Sequence, residues 1–173
     1  MTPLADTLQA SGEIDPTWHN TFAAIDRAAF LPDRIWLPDA DGRYRPIDRT
    51  QHPDTWHTAA QADEPVVTHL DTSTGTQIPT SSASKPTVVA RMLAALDPQP
   101  GHRILEAGTG AGYNTALLAH RCGDHRVVSV EYDPRLADAA RHALQAAGHS
   151  PLIVTGDAAD GHPDRAPYDR IIV

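Results

Sequence analysis

The chain has 173 residues, a formal net charge of −8 and an apolar fraction of 40%. That length suits one domain with an extension. The acidic balance argues against nonspecific nucleic-acid binding, which depends on phosphate neutralisation by Lys and Arg, and no apolar run nears the roughly 20 residues that cross a bilayer.

The start, Met1 to Asp6, lacks the basic and apolar regions of a signal peptide. Cys122 is the single cysteine, so no intrachain disulfide forms and a cytoplasmic location is expected. Ten histidines invite a metal reading. His52 and His57 lie beside Trp56, but no H-E-x-x-H motif or Cys pair accompanies them, and no metal site is expected.

Residues 1–63 form a Pro-, Asp- and Trp-rich extension, a substrate-recognition segment or lid. Within it the spacing of Trp18, Phe22, Ile25 and Phe30 predicts a helix over 17–30, ended by Leu31-Pro32. Residues 34–48 read as loops or short strands. Residues 64–100 form a second region, the substrate loop and leading helix. It opens with an extended piece over 65–70, continues as a polar Thr/Ser loop over 71–84, and enters a helix over 86–96. That helix is expected to turn Val88, Val89, Met92 and Leu93 inward. A serine before the Pro86-led helix suits an N-cap. The same loop can offer a hydroxyl and first-turn amides to a substrate carboxylate.

Residues 101–173 carry the most informative run, Ile104-Leu105-Glu106-Ala107-Gly108-Thr109-Gly110-Ala111-Gly112-Tyr113. It predicts a buried strand bearing one acid, a glycine turn and a helix. An unpaired buried charge is costly, so Glu106 needs a partner, and glycines let backbone amides approach a ligand. The dinucleotide fingerprint is G-x-G-x-x-G. Here the spacing is G-x-G-x-G, with Tyr113 at the last fingerprint position. This favours a cofactor without phosphate, and the cationic amino group of S-adenosyl-L-methionine would partner Glu106.

A helix from 114 stops near Gly123. A strand over 126–131 ends in Glu131, where nucleotide-binding α/β folds place a ribose-binding acid. Asp133-Pro134 starts a helix to Ala147. A strand over 151–155 leads to Gly156-Asp157-Ala158, and a last strand covers 168–173. The acids Glu106, Glu131 and Asp157 are expected at the carboxyl edge of one parallel sheet. The fold class is therefore α/β, a Rossmann-like S-adenosyl-L-methionine-dependent methyltransferase half-sheet with flanking helices. It is read as truncated after its fourth strand, whose exposed edge invites a homo-oligomer.

Residues 104–119, Gly156-Asp157 and Ala166-Pro167-Tyr168-Asp169 resemble the protein-L-isoaspartate O-methyltransferase family. So does Ser82-Ala83-Ser84-Lys85-Pro86, which matches that family's T-I-S-x-P loop. The resemblance implies Ser84 as the active-site serine, with Ser82, Ser84 and Lys85 at the substrate. It also implies that Glu106, Gly108, Thr109, Gly110 and Gly112 hold the methionine part of the cofactor. Glu131 would serve the ribose and Asp157 would lie near the adenine, with Tyr132 and Ala158 also at the cofactor. Residues 27–32, 63–68 and 79–86 further resemble a subgroup from actinobacterial peptide-maturation systems, the ATP-grasp peptide maturase and lanthipeptide-associated methyltransferases. That implies methylation of an Asp or isoAsp side chain in a ribosomally made precursor peptide, followed by succinimide. Repair of isoaspartyl proteins and a non-catalytic module binding cofactor or leader peptide stay open as alternatives.

Overall fold

The computed structural model describes residues 3–173. Met1 and Thr2, the start of the segment read as lacking a signal peptide, lie outside the described residues. Helices α1 (Pro3–Ala10) and α2 (Pro16–Ala24) lead the chain. Pro16 opens α2 at its first turn and Asp15 caps it, accepting from Trp18 N at 2.9 Å. The helix expected over 17–30 is broken at Ile25, which is extended; Asp26 then caps a separate 3-10 turn, Arg27–Phe30. Trp18, Phe22, Ile25 and Phe30 are nevertheless all buried.

An antiparallel sheet follows, in the order β2-β1-β3-β4, from β1 (Arg34–Pro38), β2 (Tyr44–Asp48), β3 (Val66–Asp71) and β4 (Ile78–Ala83), with α3 (Pro53–Gln61) between β2 and β3. Six residues of the expected polar loop are thus strand β4, paired with β3 in a bulged hairpin. Its Thr and Ser residues lack the apolar alternation of a strand because most of β4 faces solvent.

Helix α4 (Pro86–Leu96) lies where the sequence puts it, but only half of the predicted face is turned inward. Val89, Ala90 and Leu93 are buried, whereas Val88 is 46% and Met92 37% exposed. The predicted serine cap is also absent. Lys85 occupies the cap position without a side-chain bond, and Asp63 accepts from Thr87 N (2.8 Å) and from Thr87 Oγ1 (2.6 Å) instead. The Thr87 amide is therefore not free for a substrate carboxylate.

The parallel sheet comprises β5 (Ile104–Ala107), β6 (Val127–Glu131), β7 (Leu152–Thr155) and β8 (Arg170–Ile172), in the order β7-β6-β5-β8. Its crossovers include α5 (Tyr113–Cys122) and α6 (Pro134–Ala146). Strand alternation sends Ile104, Val127, Ile153 and Ile172 into one core with Leu93, Leu117 and Leu118, which also takes in Leu4, Leu8, Trp18 and Phe22 from α1 and α2. The other face sends Leu105, Val128 and Val130 against Ala158 and Tyr168. A third cluster, with Trp56 at its centre, joins α3 to the antiparallel sheet. Among the described residues no helix is long and apolar enough to cross a membrane, and no group of three His, Cys, Asp or Glu is placed to hold a metal.

Candidate functional site

The glycine turn leaves β5 with Gly108 N donating to Val130 O at 2.8 Å. Gly110 and Gly112 both have positive φ, 54° and 91°. A Cβ on Gly110 would enter open space, while one on Gly112 would lie 3.3 Å from Ala140 Cβ of α6. Both turn conformations favour glycine, and a side chain at 112 would in addition crowd α6, whereas the space at 110, beside the site, is open. The Thr109 hydroxyl is turned inward, 2.6 Å from Ser129 Oγ, so only its backbone is available to a ligand.

The three acids do not share one position. Glu131 ends β6, where its Oε2 accepts from Gly110 N (2.8 Å) and its Oε1 from Asp133 N (3.1 Å). Each carboxylate oxygen can accept a further bond. Asp157, past the end of β7, is exposed and accepts from Ala159 N (2.9 Å) at the head of a 3-10 turn. Glu106 lies one residue before the end of β5 and is turned beneath the glycine loop, only 3% exposed. It already has partners in its own fold: Asn114 Nδ2 donates to Oε1 (2.6 Å) and Thr115 Oγ1 to Oε2 (2.5 Å). Burial holds its carboxyl above the ordinary value; bonds from Ser129, Thr115 and Asn114 oppose that rise and the Glu131 charge adds to it. Next to it Asn114 Oδ1 is buried and accepts from nothing. An unpartnered acceptor beside a buried carboxylate fits a ligand ammonium, which has donors only.

Glu131 and Tyr132, the latter 80% exposed, line a cavity of about 520 Å³. Its opposite wall is the β3–β4 hairpin, with His69, Asp71, Thr80 and Ser81. A neighbouring cavity of about 260 Å³ shares His69, Ser81 and Leu136 and reaches Gly110 and Ala111. The first volume lies within the ~300–1,000 Å³ of small-molecule sites. Thr68 Oγ1 donates to Ser81 Oγ at 3.0 Å, and His69 Nδ1 contacts Thr80 Oγ1. These hairpin residues were not singled out from the sequence; the nearest signal was the Thr/Ser density of 71–84. Ser82, Ser84 and Lys85 line neither cavity. Ser82 and Ser84 are exposed, and Lys85 Nζ lies 3.7 Å from Asp63 and 3.8 Å from Glu64. Ser84 sits three residues past Ser81, about 10 Å onward at strand rise. Ala158 packs under the sheet with Leu105, Val128 and Val130.

The parallel sheet, its helices and the glycine turn between β5 and α5 define an α/β S-adenosyl-L-methionine-dependent methyltransferase fold. The pattern of the family described as Protein-L-isoaspartate(D-aspartate) O-methyltransferase (PCMT) matches residues 43–173. The chain belongs to that family. It is 46% identical over 93 residues to a protein-L-isoaspartate O-methyltransferase of Methanopyrus kandleri, covering 52% of this chain and 41% of that protein. It is 47% identical over 93 residues to that of Aeropyrum pernix, covering 52% and 36%. The chain thus spans less than half the length of these relatives. A solved protein-L-isoaspartate O-methyltransferase superposes with a TM-score of 0.73 at 26% identity, over 98% of this chain and 46% of that one. A putative protein-L-isoaspartate O-methyltransferase from Plasmodium falciparum, solved with S-adenosyl-L-homocysteine, gives 0.66 at 18% identity over 98% and 71%, which speaks to the fold alone.

Proposed function

We propose that the protein is an S-adenosyl-L-methionine-dependent carboxyl O-methyltransferase acting on L-isoaspartyl residues of proteins. The observation that carries this reading is one cavity with Glu131 and Tyr132 on one wall and the Ser/Thr hairpin leading to Ser84 on the other. Family membership and the relatives' names support isoaspartyl proteins as substrate over the ribosomally made precursor peptide that the sequence first suggested. A cytoplasmic location and a homo-oligomer belong to the same proposal.

The residues to hold the cofactor are Glu131 at its ribose, Tyr132 and Asp157 at its adenine side, and the Gly108–Gly112 turn with Glu106 and Asn114 at its amino-acid end. When bound, S-adenosyl-L-methionine supplies an electrophilic methyl group. The chain's own work is alignment. A substrate carboxylate with a pKa of about 3.9 is ionised at neutral pH, so no side chain need remove a proton. Ser84 acts as a hydrogen-bond donor that orients it, not as a nucleophile. The isoaspartyl methyl ester then closes to a succinimide by attack of the amide nitrogen of the following residue on the ester carbonyl, with methanol leaving.

Ser84→Ala tests the assignment. Methylation of an isoaspartyl peptide is expected to fall about 10-fold or more, the loss of one oriented donor, while cofactor affinity by calorimetry stays unchanged. Equal losses in both would contradict it. The same calorimetry separates the binding-only alternative, which requires bound cofactor without turnover.

A further inference from the structure

Arg27 is 1% exposed, yet it faces no carboxylate within ion-pair distance among the described residues. Its guanidinium instead donates to five main-chain carbonyls. Nη1 reaches Ala60 O (3.3 Å) and Ala62 O (3.2 Å). Nη2 reaches Glu64 O (3.0 Å), Ala83 O (3.3 Å) and Ser84 O (3.1 Å). A buried cation without a directly paired carboxylate is costly: burial pulls its pKa down, and the longer-range influence of Tyr113 and Asp63 opposes that only in part. An apolar side chain could fill the same volume. What the guanidinium adds is direction: a rigid planar fork ties the end of α3, the entry to β3 and the β4–α4 turn to one point.

The turn it holds carries Ser84. Both carbonyls flanking the Ser84 Cα, those of Ala83 and Ser84, accept from Arg27. Three residues downstream, Asp63 grips the backbone amide and the hydroxyl of Thr87. The Ser84 backbone is thereby fixed before and after, while its side chain stays exposed. We propose that Arg27, seconded by Asp63, is the positioning residue that aims the Ser84 hydroxyl at the substrate carboxylate. This rests on the role given to Ser84 above.

The test is a double-mutant cycle on the full chain, reading kcat/KM for an isoaspartyl peptide and cofactor affinity by calorimetry. Arg27→Lys keeps the charge but loses the fork. It is expected to lower kcat/KM about 10- to 100-fold, the scale of a small misplacement, with cofactor affinity unchanged. In a Ser84→Ala background the same change is expected to cost nothing more, because it acts through that hydroxyl. Equal losses in both backgrounds would overturn the inference and mark Arg27 as structural only. Should Arg27→Lys not fold, Asp63→Asn runs through the same cycle with the same expectation and the same contradiction. If Ser84→Ala alone left the rate intact, the role of Ser84 would fall and this inference with it. That failure appears in the single variant and is distinguishable from a failure of Arg27.

Discussion

At the scale of single residues, Glu106 decides the most. The sequence shows that a carboxylate in an apolar strand needs a partner, and makes the cofactor that partner. The structure supplies two internal ones, Asn114 and Thr115, so the acid is satisfied by its own helix. Burial still keeps its pKa above the ordinary 4.5. A raised folded-state pKa means the folded form holds this proton more tightly than the unfolded chain. Its contribution to stability is therefore complete below 4.5 and is lost as pH rises through the folded value. Glu106→Gln cannot ionise and escapes that loss. Relative to wild type, its melting temperature is expected to rise as pH is raised above 4.5. Parallel melting curves for the two proteins would contradict the burial argument.

At the scale of elements, the turn from β5 to α5 separates two reasons for glycine. Alanine at either Gly110 or Gly112 costs about 1–2 kcal/mol in left-handed backbone. Only at 112 does the new Cβ also meet Ala140. Gly112→Ala is therefore expected to unfold at clearly lower urea than Gly110→Ala. Gly110→Ala, whose Cβ enters the open side of the turn, is expected to lose more cofactor affinity per kcal/mol of stability lost. The reverse order in urea titration and calorimetry would contradict these assignments. The β5–β8 elements were legible because β6, β7 and β8 are rich in Val and Ile, because β5 leads into a glycine turn, and because Asp133-Pro134 and Gly123 punctuate the helices locally. Strand β4 was not legible, since its Thr and Ser residues face solvent and its pairing with β3 is set by a bulged hairpin. The cap of α4 was not legible either. Asp63 reaches Thr87 across 24 residues, and no local pattern encodes that. The inward face of α4 was half right: Val89 and Leu93 are buried, but Val88 and Met92 face outward.

At the scale of the whole molecule, α1 and α2 are not appended to the parallel sheet but share its main core, through Leu4, Leu8, Trp18 and Phe22. The antiparallel sheet then brings its β3–β4 hairpin over the β6–α6 junction, closing the cavity beside Glu131. The acids at the strand ends were visible in the sequence. The hairpin wall, with His69 and Ser81, was not, because it comes from a different sheet and only the fold brings the two together. Residues 27–32 carried a resemblance, but the clamp made by Arg27 had no local signal, as its five acceptors are main-chain carbonyls between 33 and 57 residues away. The account stands on carboxyl methylation at this cavity, and one measurement addresses it directly. The full chain is incubated with S-adenosyl-L-methionine and a pair of synthetic peptides differing only in an L-isoaspartyl or L-aspartyl residue, and the products are read by mass spectrometry. The expected result is one added methyl on the isoaspartyl peptide alone, lost again as the succinimide forms, and absent with Glu131→Ala. A chain that binds the cofactor at the glycine turn yet methylates neither peptide would contradict the account.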